Sequence, residues 1–248
     1  MPAERLAQSG IVKSALVTGG AKRIGREVAL ILARSGMDVA ITFLESAAEA
    51  SKTAREIESF GVRSLALEMD VRSEESVRQG VAAAVAYFGG LSLLVNNAAI
   101  YETAPLDEIT LDQWDAVFET NTRGPFLAAR EALPYLRASR GRIVNLGSLG
   151  GQHPWVTHAH YCSSKAALHM LSQTMAKAFA PEVSVNCVAP GYIEMGATSD
   201  EGRRIAAMTP MGRNGTAEEV AEAVLFFATG PHFITGQILT VDGGRGVT

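Results

Sequence analysis

The sequence of 248 residues predicts a single α/β domain in which helices cover both faces of a doubly wound parallel sheet. Three observations predict this fold. Short apolar runs of strand length alternate with longer amphipathic segments along the chain, and a glycine-rich turn joins the first run to the first helix. No internal repeat and no low-complexity linker divides the chain. Such alternation favours right-handed crossovers between parallel strands.

The first half of the chain carries four predicted strands and three predicted helices. Each strand is a short apolar run closed by glycine or by polar residues, as expected of strands buried on both faces. These runs are residues 14–19, 38–43, 64–69 and 91–97. The helices follow from apolar residues at helical spacing, and they are residues 23–34, residues 46–60 and a helix capped by Ser73.

The second half continues the alternation. Its predicted strands are residues 141–148, 183–190 and 237–244, and its predicted helices are residues 111–137, 158–179 and 217–227. We expect the first of these helices to be interrupted at Gly124-Pro125 and at Pro134, because proline lacks the N–H that a helix interior needs. Residues 191–215 show weak periodicity and are predicted to be irregular.

Composition excludes several classes of protein. The net charge of −4 and the scattered cations argue against a nucleic-acid partner or an anionic membrane surface. Two cysteines, Cys162 and Cys187, are too few for a disulfide scaffold. The first 14 residues lack a signal-peptide pattern, and no run of about 18 uncharged apolar residues occurs, so we expect a cytoplasmic protein without a spanning helix.

A phosphate-binding turn is predicted at residues 18–25, TGGAKRIG, between the first strand and the first helix. Gly19 suits the tight turn, and Gly25 permits close packing of helix on strand. A dinucleotide pyrophosphate would then lie at the helix N-terminus, where backbone N–H groups favour anions. The sequence therefore predicts a dinucleotide cofactor.

The identity of that dinucleotide depends on the end of the second strand. NAD-specific sites carry a carboxylate there, whereas this chain has Thr42 and Phe43. The nearby cations Lys22 and Arg23 favour the 2′-phosphate of NADPH, while Glu45 leaves NADH open as the alternative.

A candidate catalytic set lies further along the chain. Tyr161 and Lys165 are four residues apart and share one face of a predicted helix. A confined ammonium beside a phenol is expected to lower the pKa of Tyr161 from about 10 towards neutrality, which makes it a competent proton donor. Ser148 ends the fifth strand, where open parallel sheets place their sites. Asn121 is a poor helix former inside a predicted helix, which indicates a polar task.

A metal site is not predicted. His153, His158 and His160 fall close together just before Tyr161, but their spacing and the lack of a neighbouring acidic ligand do not match a zinc site. We expect these histidines to line a substrate pocket or to face solvent. Trp155 and Tyr192 flank the same region, and they suit pocket lining and packing equally well.

Motifs in this order resemble the short-chain dehydrogenase/reductase family. They are TGGAKRIG, NNAA, NTRG, NLGS, YCSSK, VAPGYIEM and ITGQILTVDGG, and the resemblance extends from about residue 11 to residue 244. Arg23 stands where the family turn usually has its middle glycine, and this variant looks like the pteridine reductases. In that branch the arginine and a serine at the position of Ser46 help to hold the 2′-phosphate.

The resemblance implies a Rossmann fold and a role for each matching residue. Tyr161 would donate the proton, Lys165 would hold the nicotinamide ribose, Ser148 would bind the reacting oxygen, and Asn121 would anchor a water chain. The implied cofactor-binding set is Gly19, Lys22, Arg23, Ile24, Gly25, Ser46, Asp70, Val71, Asn97, Ala98, Tyr161, Lys165, Pro190, Gly191 and Ile193. The segment 191–215 would contact substrate.

The resemblance also implies the activity and the assembly. We expect an NADPH-dependent oxidoreductase that reduces a carbonyl group on a 3-oxoacyl thioester or a small ketone, with no metal and with a small molecule as partner. A pteridine reductase is the alternative within the family, encouraged by Arg23 and weakened by Ser148, because the well-known enzymes of that branch carry aspartate there. A non-catalytic dinucleotide sensor is the alternative of another class. The family further implies a homotetramer, with the helices at residues 111–137 and 158–179 paired across two-fold axes.

Overall fold

The computed structural model describes residues 13–247 and contains a sheet of seven parallel strands. The strands are short and largely apolar, and most side chains of the five central ones are buried, whereas those of the two edge strands are mostly half-buried. In chain order the strands are β1 (Ser14–Val17), β2 (Asp38–Phe43), β3 (Ser64–Glu68), β4 (Leu93–Asn96), β5 (Arg142–Leu146), β6 (Ser184–Pro190) and β7 (Ile238–Val241).

The strand order in the sheet is β3-β2-β1-β4-β5-β6-β7. The chain therefore winds outward in one direction from β1 and in the other from β4. Val17 pairs with Ile41 on one side and with Val95 on the other, so β1 and β4 are adjacent at the centre. A parallel sheet that reverses its winding opens a crevice at the carboxyl ends of its central strands. The predicted doubly wound fold is confirmed.

The described residues contain eight α-helices, and six of them pack against the sheet. The eight helices are α1 (Arg23–Arg34), α2 (Ala47–Glu58), α3 (Glu74–Phe88), α4 (Leu111–Phe118), α5 (Gly124–Ser139), α6 (Ala159–Phe179), α7 (Asp200–Ala207) and α8 (Ala217–Thr229). One face of the sheet packs against α1, α2 and α8, through residues such as Leu32 and Val224. The other face packs against α3, α5 and α6, through residues such as Val81 and Leu136.

The predicted elements agree with the structure in type, but their ends differ. The strands predicted at 14–19, 64–69, 91–97, 141–148, 183–190 and 237–244 are each shorter, because a strand ends where its neighbours no longer supply partners. Their remaining residues form the turns at the sheet edge. The helices at 23–34, 46–60, 158–179 and 217–227 match within two residues, and Ser73 caps α3 by accepting a hydrogen bond from the Ser76 N–H.

Two predictions about irregular regions are corrected. The helical region at 111–137 is interrupted by a π-helical turn, Glu119–Arg123, and Gly124-Pro125 begins α5, where proline is tolerated. Pro134 lies within α5 and does not end it. The segment 191–215 contains α7, and the Ser199 side chain caps this helix by accepting a hydrogen bond from the Gly202 N–H. Ser199, Asp200 and Glu201 form a helix-start pattern that the weak apolar periodicity concealed.

Among residues 13–247, no helix is both long and apolar enough to cross a bilayer. The expectation that the N-terminus lacks a targeting signal rests largely on residues 1–12, which lie outside the described residues.

Candidate active site

The carboxyl ends of the central strands open on a cleft of about 1320 Å³. All of the residues predicted to bind cofactor line this cleft, as do three of the four predicted catalytic residues, Ser148, Tyr161 and Lys165. Asn121 is buried behind the lining instead. The topology therefore gathers into one cavity residues that lie up to about 170 positions apart in sequence.

The glycine-rich turn is shaped by contacts from β4. Gly19 has a φ of +64°, a left-handed conformation that favours glycine. A Cβ on Gly25 would lie 2.4 Å from both the Asn97 amide nitrogen and the Gly19 carbonyl oxygen. The same Asn97 amide donates hydrogen bonds to the Thr18 and Gly19 carbonyls at 2.9 and 3.0 Å. Asn97 thus holds the turn in place from the end of the neighbouring strand.

Thr18 and Thr42 complete this support, and the motif alone did not indicate their roles. The Thr18 hydroxyl accepts hydrogen bonds from the N–H groups of Asn97 and Ala98, both at 3.0 Å. The Thr42 hydroxyl accepts from the Gly19 N–H at 3.2 Å. Both threonines are buried. The turn is therefore preorganised by strand ends on both of its sides.

Arg23 adopts a left-handed backbone conformation, with a φ of +56°. Residues other than glycine pay about 1–2 kcal/mol for this conformation, which explains why the related motif usually has glycine there. The side chains of Lys22 and Arg23 are both exposed along the cleft. Ser46 lines the same end of the cleft, and its hydroxyl makes no capping hydrogen bond to α2. Two cations and one hydroxyl donor therefore line the same cleft as Thr42 and Phe43 at the end of β2.

One acidic residue of the cleft, Asp70, is paired with an arginine. Asp70 forms a salt bridge to Arg72 at 2.8 Å, and the hydrogen bond from Arg72 holds the pKa of Asp70 below its usual value. The charge of Glu45 also acts on Arg72. Val71 lies between Asp70 and Arg72 and is buried. The end of β2 itself carries no carboxylate, since Thr42 and Phe43 occupy it.

Ser148, Tyr161 and Lys165 converge at the end of β5. The Lys165 ammonium donates a hydrogen bond to the Leu146 carbonyl at 2.7 Å and lies 5.8 Å from the centre of the Tyr161 ring. Ser148 and Lys165 are nearly inaccessible, at 2% and 3% exposure. The Ser148 hydroxyl accepts a hydrogen bond from the Gly150 N–H at 3.1 Å.

The pKa of Tyr161 differs from the sequence expectation. Burial raises the pKa of Tyr161 to about 12, although a hydrogen bond with Ser148 acts to lower it. Burial also lowers the pKa of Lys165 to about 8. The expected lowering of the phenol pKa by Lys165 is therefore wrong for this structure, because desolvation dominates and the ammonium is engaged with the Leu146 carbonyl. Tyr161 is protonated throughout the neutral range.

Asn121 lies in the π-helical turn, and not in a regular helix interior as expected. Its amide oxygen accepts from the Ile100 N–H at 2.8 Å, and its amide nitrogen donates to the Ile100 carbonyl at 2.9 Å. The amide nitrogen also donates to the Ser164 hydroxyl at 3.1 Å. The extra residue of a π turn re-aims side chains, and such turns are frequent at functional sites. Asn121 thereby ties the loop after β4 to α6.

Aromatic rings surround Tyr161. Tyr101 packs edge-on against it with ring centres 4.9 Å apart, and Trp155 lies nearly parallel to it at 6.2 Å. His158 contacts both of these rings and lines the cleft, as expected for pocket lining. His160 is fully buried and does not line the cleft, so the expectation of pocket lining or solvent exposure is wrong for it. Within residues 13–247, no group of three or more metal-ligating side chains lies close enough to hold an ion.

The far end of the cleft is formed by the end of β6 and the segment after it. A Cβ on Gly191 would lie 2.8 Å from the Asp242 Cβ, so this position needs glycine for close approach to the chain after β7. Ile193 forms a bridge with Gly215, which closes the segment 191–215 at its base. Tyr192 lines the cleft.

The winding reversal, the preorganised glycine turn and the Ser148–Tyr161–Lys165 cluster in one cleft define the class of protein, a dinucleotide-binding oxidoreductase. Comparison with known proteins agrees with this class. A family model described as enoyl-(acyl carrier protein) reductase matches residues 19–245. The 3-oxoacyl-[acyl-carrier-protein] reductase of Staphylococcus aureus is 36% identical over 241 residues, which cover 94% of this chain and 98% of that protein.

Solved structures are similar as well. A short-chain dehydrogenase/reductase from Serratia marcescens has a TM-score of 0.90 and 34% identity, with 94% of this chain and 98% of that chain covered. A blue fluorescent protein from a metagenomic library, solved in complex with NADPH, has a TM-score of 0.88 and 33% identity, with 94% and 97% covered. The chain belongs to the short-chain dehydrogenase/reductase family, whose members are oxidoreductases that act on CH–OH or C=O groups with NAD(P)H.

Proposed function

We propose that this protein is an NADPH-dependent reductase of a carbonyl group. The observation that carries the proposal is the shared cleft, in which the phosphate-binding turn and the Ser148–Tyr161–Lys165 cluster face the same cavity. The cavity fits a dinucleotide, because the turn is a cradle that side chains at Gly19 and Gly25 would fill.

The charges near the end of β2 support NADPH over NADH. Lys22 and Arg23 are exposed cations that can meet a 2′-phosphate, and Ser46 supplies a hydroxyl donor. Charge-assisted hydrogen bonds to phosphate are about twice as strong as neutral ones. Glu45, the residue that would favour a free ribose hydroxyl, acts on the cation of Arg72. We expect NADPH to bind at least about tenfold more tightly than NADH.

The residues of the cluster divide the reduction between them. Bound NADPH would supply the hydride to the carbonyl carbon. Tyr161 transfers its phenolic proton to the carbonyl oxygen, and its raised pKa keeps that proton in place at neutral pH. Ser148 donates a hydrogen bond to the same oxygen as negative charge develops. Lys165 would hold the nicotinamide ribose, and Asn121 supports the site from behind by tying the loop after β4 to α6.

The substrate that we favour is a 3-oxoacyl thioester or a small ketone. The relative from Staphylococcus aureus, named as a 3-oxoacyl-[acyl-carrier-protein] reductase, supports the first. The segment 191–215 contributes Met195 and Met208 to the cleft, and these flexible apolar side chains suit an acyl chain. Reduction of a pterin is the alternative, because Arg23 resembles the arginine in the cofactor turn of the pteridine reductases. Ser148 argues against it, since a serine protonates a ring nitrogen less readily than an aspartate does.

Turnover is the test of this function. NADPH oxidation is followed by absorbance with an acetoacetyl thioester, small ketones, diketones and a dihydropterin. We expect reduction of the keto group of the acetoacetyl thioester or of a ketone. Turnover of the dihydropterin alone would instead assign the pterin alternative. NADPH binding without turnover of any compound would identify a dinucleotide sensor and overturn the proposal.

Two substitutions test the assigned roles. Tyr161→Phe should lower kcat by at least about 100-fold while NADPH affinity changes little, because the lost hydroxyl faces the substrate. Lys165→Ala should weaken NADPH binding as well as turnover. A Tyr161→Phe enzyme that keeps more than half of kcat, with chemistry rate-limiting, would contradict this mechanism.

The cofactor preference is tested at Arg23. Arg23→Gly removes the cation and relieves the left-handed backbone strain, so the turn stays intact while the NADPH preference shrinks. Titration calorimetry with NADPH and NADH measures both affinities for the two proteins. Equal affinities in the wild-type protein would contradict the NADPH assignment.

We further propose a homotetramer. Exposed apolar residues lie on the helices expected to pair, with Leu111 on α4, Phe126 and Tyr135 on α5, and Met170 on α6. Closed symmetry with self-complementary contacts would cover these faces. Light scattering at micromolar concentration should give about four times the chain mass, and a value near 26.2 kDa would contradict the assembly.

A further inference from the structure

A buried histidine lies directly behind Ser148. His169 is on α6, one turn beyond Lys165, and only 5% of it is exposed. Its Nε2 accepts a hydrogen bond from the backbone N–H of Ser148 at 3.4 Å. Because Nε2 accepts, the proton of the neutral imidazole is on Nδ1. The contact joins the end of β5 to the middle of α6.

Two glycines make room for this ring. A Cβ on Gly147 would lie 2.3 Å from Nε2 of His169, and a Cβ on Gly151 would lie 2.6 Å from its Cε1. Neither distance is compatible with a side chain. The imidazole therefore lies in a slot between Gly147, which precedes Ser148, and Gly151, the last residue of the short turn Leu149–Gly151. In the local sequence GSLGG, Gly147 and Gly151 thus leave room for the flat imidazole ring.

The other contacts of the Ser148 segment show what His169 contributes. The Gly147 N–H donates to the Val188 carbonyl at 2.8 Å, which is a contact with the neighbouring strand. The next N–H, that of Ser148, donates to a side chain, the imidazole of His169. The Ser148 hydroxyl oxygen is held by the Gly150 N–H, so its own proton is free to point towards Tyr161 and a substrate oxygen.

The imidazole is suited to act as an acceptor at neutral pH. Burial and the nearby charge of Lys165 lower the pKa of His169 to about 4. A protonated ring would have no lone pair for the Ser148 N–H. The neutral form is therefore the one that holds the strand end under ordinary conditions.

We propose that His169 is a positioning residue that orients the Ser148 hydroxyl by fixing the Ser148 backbone N–H. The proposal rests on the proposed function, because it concerns the hydroxyl that binds the reacting oxygen. His169 itself does not touch the substrate. Its effect would pass through the Ser148 backbone, and mispositioning of a reacting group by about 1 Å can cost about 100-fold in rate.

Three variants separate this role from a purely structural one. His169→Gln keeps an acceptor near the position of Nε2, and His169→Leu fills similar space without an acceptor. Met175→Ala is the control, because Met175 is a buried residue of the same helix that packs in the core away from Ser148. The control measures the effect of lost stability alone.

The change in kcat should depend on whether the side chain at residue 169 has a hydrogen-bond acceptor. We expect His169→Leu to lower kcat by about tenfold or more, with KM for NADPH within about twofold of wild type. His169→Gln should keep at least half of kcat, and Met175→Ala should stay within about twofold. In a Ser148→Ala background, His169→Leu should cause little further loss. A His169→Leu enzyme with more than half of wild-type kcat, or a His169→Gln enzyme as impaired as it, would overturn the proposal.

Amide hydrogen exchange tests the positioning without turnover. Mass spectrometry of peptides that cover residues 146–152 should show faster exchange in His169→Leu and wild-type exchange in His169→Gln. Equal exchange in all three proteins would overturn the proposal. A further outcome is that no carbonyl compound is turned over while exchange is faster in His169→Leu and unchanged in His169→Gln. The proposed function would then be wrong, but the positioning of the Ser148 segment by His169 would be supported.

Discussion

The buried imidazole of His169 should make the stability of the protein depend on pH in a way that His169→Gln removes. In the folded protein the pKa of His169 is lowered to about 4, against 6.5 for an unperturbed histidine, because the ring is buried and faces Lys165. Between these two values the unfolded chain binds a proton that the folded chain does not. The contribution of His169 to the free energy of unfolding is therefore fully present above about pH 6.5 and is lost as the pH falls towards 4.

The size of the effect follows from the two pKa values. A difference of about 2.5 units corresponds to about 3 kcal/mol when the pH is below both values, since each unit is worth about 1.36 kcal/mol. Integration of the linkage between about pH 7 and pH 5 gives a loss of about 2 kcal/mol. Glutamine does not titrate, so the substituted protein lacks this contribution.

The measurement is the free energy of unfolding of wild type and His169→Gln in urea, at pH 7, 6 and 5 and at one protein concentration. Lys165 and Cys187 beside the ring do not change their charge between pH 5 and 7, because burial places their pKa values at about 8 and about 11, so they do not produce the expected pH dependence. We expect the wild-type value minus the variant value to fall by about 2 kcal/mol as the pH falls from 7 to 5. A difference constant within about 0.5 kcal/mol would refute a buried neutral imidazole.

Three further predictions concern the cleft and its support. Because burial lowers the pKa of Lys165 to about 8, kcat/KM for reduction should fall above about pH 8. A pH–rate profile that stays flat to about pH 10 would contradict this prediction. Gly25→Ala should abolish saturable NADPH binding in calorimetry, because its Cβ would lie 2.4 Å from the Asn97 amide; unchanged affinity would show that the turn can relax. Asn121→Ala should lower the free energy of unfolding by about 1–3 kcal/mol, because the Ile100 N–H and carbonyl lose their partner; urea unfolding that moves by less than about 0.5 kcal/mol would argue against it.

Arg23 shows how far a motif can be interpreted without coordinates. Its place in the turn was evident from the spacing of Gly19 and Gly25, and its charge indicated a phosphate. Its left-handed backbone conformation was not evident, because φ depends on how the turn is held by Asn97 and Thr42 from two other strands.

The segment after β6 shows the opposite case. Its sequence contains a helix-start pattern, but its weak apolar periodicity led to the prediction of an irregular segment. Ser199, Asp200 and Glu201 are a helix-start pattern, yet the helix they begin is only eight residues long. So short a helix has few apolar positions with which to display a period. Its stability depends on contacts with the rest of the segment, such as the hydrogen bond from Asn214 to the Gly202 carbonyl at 2.9 Å.

The sequence by itself determined the alternation of strands and helices, the glycine turn and the order of the motifs, because these depend on residue type and short spacing. Only the tertiary structure decided the environment of the candidate catalytic residues. Burial raises the pKa of Tyr161 where a neighbouring ammonium was expected to lower it. His169 reaches the Ser148 N–H from 21 residues away. Both results come from the crossover that lays α6 against the end of β5, since desolvation and contact between remote residues are set by packing and not by spacing along the chain.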